Sequence, residues 1–112
     1  MRIAVTSDGK NVSSHFGKTI KFVIFEISRG KTKGKLLIDV SASGGHDALT
    51  YILKNEGVEV LLCGEITEKM RGELENQGIE VMSGFRGNIG AVLRGYMRRQ
   101  IREDYRKKPI KK

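Results

Sequence analysis

Asp47-Ala48-Leu49-Thr50-Tyr51-Ile52-Leu53-Lys54-Asn55-Glu56-Gly57-Val58-Glu59-Val60-Leu61-Leu62-Cys63-Gly64 decides the fold. Ala48, Leu49, Ile52 and Leu53 recur at helical spacing over 47–56, and Gly57 stops the helix. Val58 to Cys63 follows at once, apolar except for Glu59, and reads as a central strand. A strand reached through a helical crossover runs parallel to the strand before it. This stretch is therefore the middle of an α/β domain.

Upstream lie three more strands. Arg2 to Ser7 is a buried strand around Ile3-Ala4-Val5, closed by the turn signal Asp8-Gly9-Lys10-Asn11. Phe22-Val23-Ile24-Phe25-Glu26-Ile27 is the second. Gly30 to Gly34 is a polar, lysine-rich turn, which makes Lys35-Leu36-Leu37-Ile38-Asp39-Val40 the returning arm of a hairpin. Ser41 to Gly45 is a loop of small residues.

Downstream, Thr67 to Gln77 reads as a second helix, with Met70 and Leu74 four apart and Gly78 after it. Its start lacks the acidic residue of a capping box. Ile79-Glu80-Val81-Met82 is a short last strand, and a third helix begins at Asn88, with Ile89, Val92, Leu93, Tyr96, Met97 and Ile101 on one face. Pro109 ends any helix, and the last residues are expected to be disordered.

The order is β-β-β-α-β-α-β-α. Two antiparallel connections followed by two parallel crossovers put the loops after strands one, three, four and five on one edge. With strand order 3-2-1-4-5, the winding reverses between strands one and four, where α/β sheets take their ligands. His15 follows the first strand, His46 precedes the first helix, and Cys63-Gly64 ends the fourth strand. These two histidines and one cysteine are all the imidazole and thiol groups in the chain. Imidazole and thiolate in glycine-rich loops suit a transition metal or an iron–sulfur cluster better than Mg²⁺ or Ca²⁺.

A chain of 112 residues makes one domain. No segment reaches the roughly 18–20 apolar residues that cross a membrane. The N-terminus does not read as a signal peptide, and a single cysteine forms no internal disulfide, so a reducing cytoplasm is expected. The net charge of +8 is uneven: residues 1–93 carry a net +1 and residues 94–112 a net +7. A near-neutral domain over 1–97 is thus followed by a basic helical extension and tail over 98–112. An anionic partner, nucleic acid included, would meet that tail first.

Ile3-Ala4-Val5-Thr6-Ser7-Asp8-Gly9, Val12-Ser13-Ser14-His15-Phe16-Gly17, the second strand, Gly44-Gly45-His46, Gly57 to Ile66 and Gly78-Ile79-Glu80-Val81 together resemble the dinitrogenase iron–molybdenum cofactor biosynthesis family over about residues 1–95. Ser-x-His-Phe-Gly at this distance from a first strand is the most specific element. The resemblance implies a ribonuclease-H-like mixed five-stranded sheet with three helices. It further implies binding of an iron–sulfur or iron–molybdenum cofactor-like cluster, or its precursor, without catalysis.

On this reading Ser14, His15, Phe16, Gly44, Gly45, His46 and Gly64 contact the cofactor, and His15, His46 and Cys63 are its candidate metal ligands. The partner would be a metal-cluster donor or acceptor protein. Each residue also has a plainer role. His15 can shape its turn, His46 can flank a helix whose cap is Asp47, and Cys63 can be a small buried apolar residue. A ligating imidazole needs an acceptor for its second nitrogen, which Ser13, Ser14 or Asp8 could supply. Asp8, Asp47 and Glu65 on the same edge form a rival Mg²⁺ constellation of the nuclease kind. Against it, the first strand carries Ile3-Ala4-Val5 where such enzymes hold an acid.

Overall fold

The computed structural model describes residues 1–42 and 45–107. The elements run β1 (Arg2–Ser7), β2 (Lys21–Ser28), β3 (Lys31–Asp39), α1 (His46–Asn55), β4 (Val60–Leu62), α2 (Glu68–Asn76), β5 (Glu80–Met82) and α3 (Ile89–Lys107). A short 3₁₀ turn, Phe16–Lys18, follows His15. The five strands form one sheet in the order β3-β2-β1-β4-β5, as the sequence predicts. β1 pairs antiparallel with β2 and parallel with β4, so the winding reverses at β1.

Alternation along the strands builds two cores. Ala4, Phe22, Ile24, Leu61 and Val81 face one way, onto Leu49 and Leu53 of α1 and Met70 and Leu74 of α2. Ile3, Val5, Val23, Phe25, Val60 and Leu62 face the other way, onto Val92, Leu93 and Tyr96 of α3. The central strands are covered on both sides, which is why β4 is apolar at every position rather than alternating.

The β2–β3 hairpin differs from expectation. Its loop is Arg29-Gly30, not Gly30 to Gly34, and both residues have positive φ (53° and 76°). A two-residue loop of this hand matches the right-handed twist of the strands it joins. Gly34 is taken into β3, and the extra residue is absorbed as a bulge opposite Glu26 and Ile27.

Helix α2 starts after Thr67, whose Oγ1 accepts the Met70 N–H at 3.2 Å. Asn88 does the same for α3, taking the Ala91 N–H at 2.9 Å. Asp47 does not cap α1; Gly45 holds that position and Asp47 lies in the first turn. Among the described residues no helix is long and apolar enough to cross a membrane. Gly44 and residues 108–112 lie outside the described residues, as do the side chains of His46 and of 100–107. The expected disordered end and most of the basic tail's side chains therefore fall outside the description.

Candidate functional site

The loops after β1 and β4 are laced together where the sheet reverses. The Phe16 N–H donates to the Glu65 carbonyl and the Glu65 N–H to the Ser14 carbonyl, both at 2.8 Å. His15 and Glu65 thus form an isolated parallel bridge beyond the strand ends. Gly64 makes this approach feasible. A Cβ there would run into the carbonyl oxygens of Ser13 and Ser14, the latter 2.6 Å away. Its glycine is required by contact rather than by a left-handed backbone.

Ser13 stiffens the same loop from beneath. It is buried, its N–H donates to the Thr6 carbonyl (3.1 Å), and its hydroxyl donates to the His15 carbonyl (2.8 Å). Phe16 next to it is buried against Phe22, with ring centroids 6.3 Å apart. The segment between two anchored residues then projects His15 outward, with its side chain half exposed.

Nδ1 of His15 lies 3.4 Å from Oε1 of Glu65. None of the expected acceptors takes this place. Asp8 closes its own turn by accepting the Asn11 and Lys10 N–H groups, which hold its carboxyl below the usual range, Asn11 first. Ser13 is spent on a carbonyl, and Ser14 is exposed. Glu65 was legible only as a carboxylate on the right edge. Its pairing with His15 comes from the parallel β1–β4 register.

His15, Phe16, Gly17, Glu65, Ile66, Thr67 and Met70 line a cleft of about 180 Å³. A second hollow of about 430 Å³ adjoins it across Thr67 and Met70, lined also by Gly45, Asp47, Lys69 and Glu73. One groove thus runs from His15, past the start of α2, to the start of α1. Residues at both helix starts line it, Thr67 ahead of α2 and Gly45 and Asp47 at α1, where each helix carries the positive end of its dipole. The lining side chains include three carboxylates (Glu65, Asp47, Glu73) against one ammonium (Lys69). The groove's side chains are therefore acidic on balance.

The candidate residues separate accordingly. His15, Phe16 and Gly45 line the groove, with Phe16 presenting only a buried ring, while Ser14 and Gly64 build the loop contact that positions them. Cys63 must be corrected. It is fully buried in the core on the α1–α2 side, its Sγ is directed to the Met82 carbonyl at 3.7 Å, and burial pushes its thiol up to about 11. One residue past β4, Cys63 keeps the strand's alternation and shares Leu61's face, so it points into that layer and not off the strand's end. The rival carboxylates do not gather either: no group of three or more His, Cys, Asp or Glu side chains suited to a metal ion exists among the described residues.

The family model for dinitrogenase iron-molybdenum cofactor proteins matches residues 1–99. The chain belongs to this family. An uncharacterised protein of Methanocaldococcus jannaschii, MJ0580, is 32% identical over 85 residues, which is 72% of each chain. Among solved structures, PH0822 superposes with a TM-score of 0.81 at 27% identity, covering 87% of this chain and 88% of that one. The apo form of the orange protein from Desulfovibrio gigas superposes with a TM-score of 0.78 at 25% identity, covering 88% of each. The fold is therefore shared along almost the whole described length.

Proposed function

We propose that this chain is a non-catalytic carrier of a metal–sulfur cluster, iron–molybdenum cofactor-like or a precursor, which it holds in the groove between His15 and the start of α1. The observation that carries the reading is the His15–Glu65 pair at the cleft. A carboxylate beside Nδ1 is the acceptor a ligating imidazole needs there, and it would leave Nε2 as the nitrogen for a metal. Membership of the dinitrogenase iron-molybdenum cofactor family supports the same cargo.

One imidazole on a half-open cleft is weak ligation, and weakness is what carriage requires. A closed four-ligand site retains its metal. His46, the first residue of α1, would be the second ligand, and Gly45, which lines the groove's far end, carries no side chain to obstruct the cluster there. Cargo would come from one cluster protein and pass to another in the cytoplasm.

The test is anaerobic titration with isolated iron–molybdenum cofactor, followed by visible absorption. Wild-type protein binds stoichiometrically. His15→Ala loses most of the affinity while keeping its circular dichroism and melting temperature, and Cys63→Ala keeps the affinity. Equal binding by wild type and His15→Ala overturns the assignment.

A further inference from the structure

Strand β3 is one of the sheet's two edges, and it is bare. Every residue from Lys31 to Asp39 is exposed except the half-buried Ile38. Leu36 is 42% and Leu37 55% exposed, on opposite faces of the strand. Leu36 lines a hollow with Ile24 and Lys33, and Leu37 another with Val23, Phe25 and Ile89. Lys31, Lys33 and the bulge blunt the first half of this edge, but the regular half from Lys35 to Asp39, with a leucine on each face, is a template for another strand.

The ladder shows which backbone groups are free. Lys21↔Asp39 through Phe25↔Lys35 is one regular antiparallel register, and the Val40 N–H continues it by donating to the Ile20 carbonyl. Hydrogen-bonded pairs alternate in such a ladder. Val40, Ile38 and Leu36 therefore turn their backbone groups toward β2. Lys35, Leu37 and Asp39 turn theirs outward.

We propose that this edge pairs with β3 of a second copy of the chain, antiparallel about a two-fold axis at Leu37. In that register the outward groups of Lys35, Leu37 and Asp39 meet those of Asp39, Leu37 and Lys35 of the second copy. On one face Leu37 packs on Leu37, flanked at both ends by a Lys35–Asp39 ion pair. On the other, Leu36 packs on Ile38 twice. Centring on Lys35 would stack like charges, and centring on Leu36 would need Lys33, which the bulge removes from the ladder. The interface is isologous and joins two five-stranded sheets into one. The His15 groove, at the β1–β4 end of the strands, stays open on each copy.

A strand-edge interface is small, so association should be concentration-dependent. Sedimentation equilibrium of the full chain from micromolar to millimolar concentration is expected to raise the apparent mass from 12.5 kDa toward twice that value. Amide exchange at Leu37 should slow over the same range. Leu37→Lys, at an exposed position, should stay monomeric with an unchanged melting temperature. Lys35→Asp sets carboxylates against each other at both ends and should weaken association by about tenfold or more. Adding Asp39→Lys to it restores the dimer with reversed polarity. A chain that stays monomeric throughout, or a dimer indifferent to Leu37→Lys, overturns the proposal. A dimer lost in Leu37→Lys but indifferent to Lys35→Asp overturns this register. None of these results depends on cluster binding.

Discussion

Oε1 of Glu65 stands 3.4 Å from Nδ1 of His15, across the parallel junction of β1 and β4. The backbone bonds from Phe16 and Glu65 fix this relation, not the two exposed side chains alone. An exposed pair of this kind contributes little to stability. Its value lies in orienting the ring.

Glu65→Gln should therefore leave the melting temperature within a degree or two and lower cluster affinity by about 10–100-fold, the usual effect of losing the group that orients a ligating histidine. Anaerobic titration of the variant beside wild type measures it. Glu65→Asp, one methylene shorter, should fall between the two. Equal affinity in Glu65→Gln would remove the carboxylate from the site.

Gly64→Ala should act through the fold of the site. The new Cβ meets the Ser13 and Ser14 carbonyl oxygens, which cannot swing away because both loops are backbone-bonded there. Overpacking of this kind costs about 1–3 kcal/mol. Gly72→Ala in α2 is the control. Its Cβ meets nothing within 4 Å, and replacing a helical glycine should stabilise by about 0.5–1 kcal/mol. Urea unfolding of the two variants should shift in opposite directions.

The strand order was legible because hydrophobic runs and connection types admit few sheets. Val60-Leu61-Leu62 is apolar at every position because helices cover both faces. The hairpin loop was misplaced because Gly34 resembles a turn residue, whereas Arg29 at positive φ carries no such signal. His15 was legible as an isolated imidazole in a loop just past a strand. Glu65 was not, since its role depends on which residues two parallel strands bring level. For Cys63 the deciding fact was the direction of one side chain, which parity along β4 sets.

Cys63 should resist alkylation at neutral pH in the native state and react only on unfolding. Burial raises its thiol from 9.0 to about 11, with Arg71 offsetting part of the rise. The native chain holds its proton where the unfolded chain has released it, so stability falls as pH rises between about 9 and 11. The limiting slope is about 1.4 kcal/mol per pH unit. Urea midpoints of wild type and Cys63→Ala, compared across that window, should converge as pH rises, because the alanine variant lacks this loss. Parallel curves would show that the thiol is not held protonated.

Thr67→Ala tests whether the groove's frame and its ligand are separable. Thr67 caps α2 through the Met70 N–H and sits where the two hollows meet. Losing an N-cap costs about 1 kcal/mol. Met70 and Leu74 keep α2 docked on the core, so the helix should persist with a looser first turn. Amide exchange at Met70 should quicken, while exchange at the central β4 residues follows only the global loss of stability. Thr67→Ser, which keeps the hydroxyl, should restore protection at Met70. If the cargo contacts this helix start, Thr67→Ala weakens binding while Thr67→Ser does not. Unaltered affinity in Thr67→Ala would confine the cargo to the His15 end of the groove.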